Sequence, residues 1–311
     1  MEVDFVETSN SIKKVTHASK DFYIELFATE YDLKILSNKH IANKTIEAYA
    51  EIARTIEKLK TDYKQEYTIL SHNLVTSHSL LQDALEQIVP EESLATAENH
   101  SVQIEIVKKL LDADKRNSAE SVLVIAKRVV DLQAQIEGFK ILSGNNKLDI
   151  GNHNIKKVLH NILYPFYEDF NKNNIEVRWH IKHEIKDENT IRTDYKVLNV
   201  ALHHLLNNAS KYVLPYSYID ICYNPEEKTL SFEMISIRIE RDELKKIFDL
   251  RFRGRNVLDS EPGEGVGKYM VKKALDLLNA DIIVEPNYSI SQEGLNGTKY
   301  NFNKFVIKFG F

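Results

Sequence analysis

The sequence predicts an α+β protein with a helical first half and, from about residue 149, a mixed α/β sandwich. Three observations indicate this division. No glycine occurs before Gly138, and Pro90 is the one proline in that stretch. Apolar residues of the first half recur at spacings of three and four, the period of a packed helix. After Asn154, alternating patterns typical of strands are interspersed with helical ones.

Composition limits the classes of function. A chain of 311 residues has room for two domains, and 43% hydrophobic with 28% charged residues is ordinary for a folded protein. The formal charge is −5, and the lack of a basic stripe argues against nucleic acid as a partner. One cysteine, Cys222, excludes an internal disulfide framework. The N-terminus lacks an apolar run typical of a secretory signal, and no stretch approaches the roughly 20 apolar residues of a membrane span. We therefore expect a cytoplasmic protein without a membrane partner.

The first helical segment is predicted to run from Ser37 to Val89, where Pro90 ends it. Its apolar residues form a seam of the coiled-coil or bundle type. That seam consists of Ile52, Ile56, Leu59, Tyr63, Tyr67, Leu70, Leu74, Leu81 and Ile88.

A shorter helix is predicted over Val102 to Ala113, and a second long one follows it. The seam of the second long helix consists of Val122, Ile125, Val129, Leu132, Ile136 and Phe139. Two seamed helices form a helical hairpin with exposed apolar flanks, so we expect a homodimer that builds a four-helix bundle. A monomeric helical domain covered by residues 1–36, expected to be helical, is the alternative. The predicted domains are thus residues 1–36, 37–148 and 149–311.

The polar, glycine-bearing stretch from Ser143 to Asn154 indicates the boundary before the last domain. Helices and strands then alternate, and they predict helices on one face of a largely antiparallel sheet. The predicted elements are helices over Ile155 to Phe170, Asp194 to Tyr212 and Lys268 to Leu278, with strands over Ile175 to Ile181, Ile219 to Tyr223, Leu230 to Ile237, Ile282 to Val284 and Lys299 to Phe309.

Polar residues on the helix that begins at Asp194 suggest chemistry. His204, Asn208 and Lys211 share one helical face, at positions i, i+4 and i+7. An amide oxygen beside an ammonium group can complete a magnesium–phosphate site. A surface helix with scattered polar residues explains the same pattern equally well.

Two further segments follow along the chain. Gly263, Gly265 and Gly267 alternate just before a helix, where close backbone approach and free N–H groups can hold phosphate. A single glycine segment of this kind is weak evidence. The stretch from Ile247 to Gly254, with Phe252 and Arg253, is by itself no more than a helical turn with apolar anchors.

In their order and spacing, the three segments together resemble the GHKL ATPase family and, within it, the histidine kinases of two-component systems. The resemblance extends from Asn152 to Phe311 and implies an ATP-binding domain that uses Mg²⁺. It implies that Asn208 coordinates the Mg²⁺ ion and that residues 255–261 form a lid. It also implies that the nucleotide is held by Lys211, Tyr212, Phe252, Arg253, Gly263, Gly265, Gly267 and Thr298.

One element of the family pattern is absent. The Asp-x-Gly-x-Gly segment whose aspartate accepts a hydrogen bond from adenine falls here on Met234, Ser236 and Arg238. A thioether cannot accept a strong hydrogen bond, and an unpaired buried polar edge costs ~1–3 kcal/mol. In addition, His204 stands where the family usually has asparagine, and Lys268 where it has an apolar residue.

His72 is the candidate phosphoacceptor. It lies two positions from the seam residues Leu70 and Leu74, about 200° around the helix, so we expect it to face solvent. With Asn73 next to it and Thr76 one turn later, the segment resembles the phosphoacceptor box of histidine kinases. That resemblance implies that Asn73 orients the imidazole and that Thr76 positions water. His78 is a weaker candidate.

The sequence therefore predicts a histidine kinase that phosphorylates His72 with ATP and Mg²⁺ and passes the phosphoryl group to an aspartate of a response-regulator receiver domain. A degenerate relative, acting as a histidine phosphotransferase or a binding scaffold with little ATP binding, is the alternative. A GHKL ATPase that drives conformational change is a third possibility, but it needs a carboxylate where His204 stands. Adjacent His203 and His204 cannot easily chelate one metal, so no zinc site is predicted.

Overall fold

The computed structural model describes residues 4–8, 12–18, 23–28, 39–144, 147–181, 189–257, 265–294 and 297–310. The chain divides into two units, Met1–Thr68 and Ile69–Phe311. Helix α1, Lys39–Ile88, runs through the division and has the extent that the seam predicts.

The first unit begins with an antiparallel sheet in the order β1-β2-β3. Val6 pairs with Lys14, and Val15 with Leu26. The prediction of a helical segment over residues 1–36 is therefore wrong. The strands are rich in β-branched and aromatic residues, which favour extended backbone more than the lack of glycine favours a helix. Their bounds are β1 Asp4–Thr8, β2 Ile12–Ala18 and β3 Tyr23–Ala28.

Three more helices follow α1: α2 Glu91–Ala95, α3 His100–Ala113 and α4 Lys115–Leu142. Polar side chains cap α3 and α4, since Asn99 accepts from the N–H of Val102 and Asp114 from that of Asn117. Gln135 on α4 donates a 2.7 Å hydrogen bond to the Ser77 hydroxyl on α1.

Apolar seam residues of α4 remain exposed in the single chain. Val122 is 52% exposed, Val129 39% and Ile136 41%. Such a stripe lies one heptad apart along the helix, as in a bundle seam that a second helix covers. The four-helix bundle stays a prediction that this exposure motivates.

The second half of the chain contains a five-stranded sheet in the order β5-β7-β8-β10-β9 and a two-stranded sheet of β4 and β6. Strand β5 runs parallel to β7, and the other pairs are antiparallel, as the predicted sandwich requires. The bounds are β4 Ile150–Asn154, β5 Glu176–His180, β6 Thr190–Asp194, β7 Tyr218–Asn224, β8 Thr229–Ile237, β9 Ala280–Glu293 and β10 Lys299–Phe309.

Helices of the same half are α5 Ile155–Leu163, α6 Tyr167–Lys172, α7 Tyr195–Tyr212 and α8 Gly267–Leu277, with a 3-10 turn at Tyr164–Phe166. Helix α7 begins where the Asp194 carboxylate accepts from the N–H groups of Lys196 and Val197. Helices and sheet enclose one apolar core that includes Phe166, Phe170, Leu206 and Phe232, all fully buried. Each such side chain contributes roughly 1.5–3 kcal/mol by leaving water.

Helix α4 packs on α7 and α8. Ala134 is fully buried, and a Cβ on Gly138 would lie 3.1 Å from Cε of Met270. This packing places α4 in the unit Ile69–Phe311 together with α7 and α8, whereas the sequence predicts boundaries after residues 36 and 148. Within the described residues, no helix combines the length and apolar character that a bilayer crossing requires.

A buried polar contact fixes α4 on α7. Nε2 of His203 lies 2.8 Å from Oδ1 of Asp131. Burial alone would raise the pKa of Asp131, but the hydrogen bond with His203 and the charges of Lys127 and Arg128 lower it below its ordinary value. Lys127 also pairs with Asp169. These contacts connect α4 to α7 through His203 and to α6 through Asp169.

Candidate functional site

A cavity of about 40 Å³ lies among α7, the start of α8, strand β8 and the segment that follows β8. Most of its wall is apolar, and a few charged or amide groups interrupt it. The lining residues are Asn208, Ala209, Tyr212, Met234, Ser236, Ile237, Arg238, Ile239, Glu243, Ile247, Phe252, Gly254, Val257, Lys268 and Phe305. All three segments singled out in the sequence contribute to this wall or touch it.

Asn208 faces the start of α8. A Cβ on Gly267, the first residue of that helix, would lie 3.3 Å from Nδ2 of Asn208. This Nδ2 atom is buried and has no hydrogen-bond partner among the residues that the structure describes. A buried unpaired polar group costs about 1–3 kcal/mol. An amide in this state, beside helix N–H groups that have no partner within the helix, fits a phosphate–magnesium group.

Gly265 connects the glycine segment to the aromatic one. Its φ of 70° is in the left-handed region, and a Cβ there would lie 2.6 Å from the carbonyl carbon of Arg251 and 2.7 Å from the carbonyl oxygen of Phe252. Only glycine satisfies both conditions. Gly263 and the lid positions 258–261 lie outside the described residues.

Lys268 and Tyr212 meet across the cavity. Nζ of Lys268 lies 6.0 Å from the centroid of the Tyr212 ring, at the limit of a cation–π contact. Burial lowers the pKa of Lys268, and the negative charge of Glu243 acts in the opposite direction.

The positions of the missing family pattern are in the cavity wall. Met234 is 2% exposed and presents its thioether side chain there. The Ser236 hydroxyl accepts a 2.8 Å hydrogen bond from Nδ2 of Asn303, and Arg238 pairs with Glu240 at 3.0 Å. The position of the missing aspartate therefore contributes an apolar side chain to the cavity wall.

Other predicted residues lie away from the cavity. Lys211 is exposed, Thr298 is half-buried, and neither lines the cavity. Arg253 donates from Nη2 to the carbonyl oxygen of Val257 at 3.2 Å instead of entering it. Of the predicted nucleotide-binding residues, Asn208, Tyr212 and Phe252 line the cavity. Gly265 and Gly267 do not line it, but Gly265 approaches Phe252 and Gly267 approaches Asn208.

The phosphoacceptor candidates are on α1. His72 is exposed, as its position relative to the seam predicts, and Asn73 is half-buried. The Thr76 hydroxyl donates a 3.0 Å hydrogen bond to the carbonyl oxygen of His72. None of these residues lines the cavity.

Two features could not be predicted from the sequence, one in the cavity wall and one elsewhere on helix α7. Glu243 is buried, with 5% exposure, and it lines the cavity. Its signal is an acid between Ile239 and Ile247 at spacings of four, where an apolar residue fits the pattern. The second feature is the state of His204, since burial and, to a smaller extent, the neighbouring His203 lower its pKa to about 3. His204 is thus neutral at physiological pH.

The described residues contain no cluster of three or more histidine, cysteine or acidic side chains that could hold a metal ion.

Comparison with known proteins agrees with this geometry. The family described as histidine kinase-, DNA gyrase B- and HSP90-like ATPase matches residues 193–306. The sensor histidine kinase YxdK of Bacillus subtilis (strain 168) is 25% identical over 181 residues, which cover 56% of this chain and 54% of that protein. The chain thus spans about half the length of this curated relative.

Solved structures give matches of the same kind. The catalytic domain of histidine kinase ThkA has a TM-score of 0.41 and 17% identity, over 52% of this chain and 97% of that one. The Acinetobacter baumannii histidine kinase AdeS has a TM-score of 0.39 and 17% identity, over 77% of this chain and 98% of that one. Residues 193–306 thus match an ATPase domain of the GHKL type, and the curated relative that this chain resembles is a sensor histidine kinase.

Proposed function

We propose that the protein is a signalling histidine kinase that binds ATP with Mg²⁺ in the described cavity and phosphorylates itself on His72. The phosphoryl group then passes to an aspartate on a response-regulator receiver domain. The observation that carries this proposal is the buried, unpaired amide of Asn208 opposite Gly267 at the start of α8. A buried polar group without a partner is unfavourable in the free protein, and a bound ligand can supply the missing partner.

The residues present fit the nucleotide. The side-chain oxygen of Asn208 is a suitable Mg²⁺ ligand. The oxygen and nitrogen of an amide are assigned from their hydrogen-bond partners, so either atom of this side chain can face the ligand. The first-turn N–H groups of α8 have no partner within the helix, and Gly267 at its start lies next to Asn208, so this helix end favours phosphate. Bound Mg²⁺ supplies charge neutralisation for phosphoryl transfer. Phe252 and Tyr212 supply apolar surface for the rest of the nucleotide.

His72 has the exposure that a phosphoacceptor needs, since a catalytic domain and a receiver must both reach its imidazole. The Thr76 hydroxyl, bonded to the helix backbone, must change rotamer before it can position water. The exposed stripe of Val122, Val129 and Ile136 supports a homodimer through a four-helix bundle.

Incubation of the full chain with γ-labelled ATP and Mg²⁺ tests the proposal. We expect acid-labile label on the wild type, no label on His72→Gln, and unchanged label on the matched control His78→Gln. Asn208→Ala should also lose the label. Label that survives His72→Gln would exclude His72 as the acceptor.

A second function is favoured by one observation, namely Met234 in the cavity wall in place of an acceptor. A histidine phosphotransferase needs His72 but no ATP. In that event the wild type takes no label from ATP, but it takes label on His72 from a phosphorylated receiver domain.

A further inference from the structure

The cavity contains a carboxylate at a different position from the one that is missing. Met234 and Glu243 line the same cavity, and Glu243 is 5% exposed. A buried carboxylate facing a mostly apolar wall needs hydrogen-bond donors, because an unpaired buried charge is costly. The donors that it has therefore show how much of its capacity remains.

The hydrogen bonds of Glu243 leave one oxygen incompletely used. Oε1 accepts from the backbone N–H of Arg255 at 2.8 Å and from its Nε at 3.3 Å. Among the described residues, Oε2 accepts only from the backbone N–H of Glu240, at 3.1 Å. A carboxylate oxygen has two lone-pair positions, so Oε2 can accept a second hydrogen bond.

Gly254 keeps that oxygen uncovered. A Cβ at residue 254 would lie 3.3 Å from Oε2 of Glu243, and Gly254 lines the cavity as well. Three bonds to backbone and guanidinium groups hold the carboxylate in one orientation. The free lone pair is thus fixed in position, which is what recognition of a rigid ring requires.

Lys268 supplies a donor to the same space. It lines the cavity, and no hydrogen-bond partner of its ammonium group occurs among the residues that the structure describes. Glu243 is the charge that acts on it. The cavity thus presents an acceptor and a donor together, although the family position for an acceptor is occupied by Met234.

We propose that Glu243 and Lys268 are specificity-determining residues for the base of the nucleotide. Glu243 accepts a hydrogen bond from the 6-amino group, and Lys268 donates one to the adjacent ring nitrogen. The ligand class is a 6-aminopurine nucleotide, and the inference rests on the proposed binding of ATP in this cavity. A 6-oxopurine reverses the donor and acceptor on this edge, and the fixed carboxylate then faces an oxygen.

Calorimetric titration of the full chain with ATP, ITP and inorganic triphosphate tests this assignment. We expect the wild type to bind ATP about ten- to a hundredfold more tightly than ITP, because the 6-oxo group leaves polar atoms unpaired. Glu243→Gln should weaken ATP by a similar factor and leave triphosphate unchanged. Met234→Asp, added to Glu243→Gln, should restore ATP binding, because it returns an acceptor to the wall.

Lys268→Met should weaken ATP and leave triphosphate unchanged, whereas Lys273→Met, at an exposed position of the same helix, should change neither. Equal binding of ATP and ITP by the wild type would overturn the assignment without any variant. The assignment would also be overturned if Lys268→Met weakened the binding of triphosphate as much as that of ATP, because Lys268 would then contact the phosphates. If Glu243→Gln unfolds, the wild-type comparison and Lys268→Met still decide.

The outcome is separable from that of the proposed function. Preference for ATP over ITP without label on His72 retains the base assignment and removes the autophosphorylation. Label on His72 from ATP and ITP with equal affinity does the reverse. A wild type that binds neither nucleotide removes both.

Discussion

The two ends of the cavity differ in how closely they follow the family pattern. At one end, Asn208, Gly265 and Gly267 are the residues that the resemblance implies for magnesium and phosphate. At the other end, Met234, Ser236 and Arg238 stand where the family pattern that the sequence resembles has its Asp-x-Gly-x-Gly segment. The difference teaches that a position with a steric requirement on the backbone accepts only glycine. A hydrogen-bond acceptor, in contrast, can be supplied from another position in the wall.

The physical costs agree with this contrast. Gly265 has a left-handed backbone, and three neighbouring backbone atoms would lie within 3 Å of an added Cβ. Backbone atoms cannot move aside without disturbing the fold. A side-chain hydrogen bond is worth only about 0.5–1.5 kcal/mol net. A site can therefore tolerate the loss of a side-chain hydrogen bond more easily than the loss of a sterically required glycine.

The largest expected effect is that of Gly265→Ala. The left-handed backbone alone costs an alanine roughly 1–2 kcal/mol, and the contact with Arg251 adds to it. We expect a lower melting temperature and the loss of detectable ATP binding, measured by thermal unfolding and calorimetry. Gly144→Ala is the matched control, because Gly144 has φ of 69° but no atom within 4 Å of an added Cβ. Equal effects of the two substitutions would show that steric contact at the phosphate end is unimportant.

A smaller effect is expected for Asn208→Ala, which removes the unpaired amide. Binding of ATP with Mg²⁺ should weaken about ten- to a hundredfold, the equivalent of ~1–3 kcal/mol. Stability without nucleotide should be unchanged or slightly higher, because a buried group without a partner disappears. Asn207→Ala, one position earlier and outside the cavity wall, should leave binding unchanged. If Asn208→Ala destabilises the free protein and binds ATP normally, the amide is structural.

The smallest effect at neutral pH is expected for His204→Asn, which puts the residue usual in the family one helical turn before Asn208. The pKa of His204 is about 3 in the folded protein, and an unfolded histidine has a pKa of about 6.5. Below pH 6.5 the unfolded state therefore binds a proton that the folded state does not, so stability falls as the pH decreases from 6.5 toward 3. Urea unfolding should show a smaller decrease for His204→Asn in this range and little change at pH 7.5. His78→Asn, at an exposed position of α1, should keep the wild-type pH dependence of stability. If the wild type and His204→Asn lost equal stability between pH 6.5 and 3, His204 would not be held neutral by the fold.

Local sequence patterns predicted the long helices and most of the sheet. The seam predicts α1 to within two residues at its start and one at its end, and the alternation in Glu176–His180 and Thr229–Ile237 predicts central strands. The lack of glycine favours a helix over residues 1–36, and it does not predict the strands β1, β2 and β3. The short strands β4 and β6 were missed because five residues give too few repeats of a pattern.

The sequence by itself determined the ATPase type of the last domain, the helix that carries Asn208 and the glycine segment near it. Spacing and residue type along the chain are local properties, so they can be read without the tertiary structure. Tertiary structure decided which groups share the cavity. It brought Glu243 beside Gly254 and Lys268, paired Asp131 with His203, and placed Lys211 in solvent. Contacts between residues far apart in the chain depend on how helices and strands pack, and no local period encodes that packing.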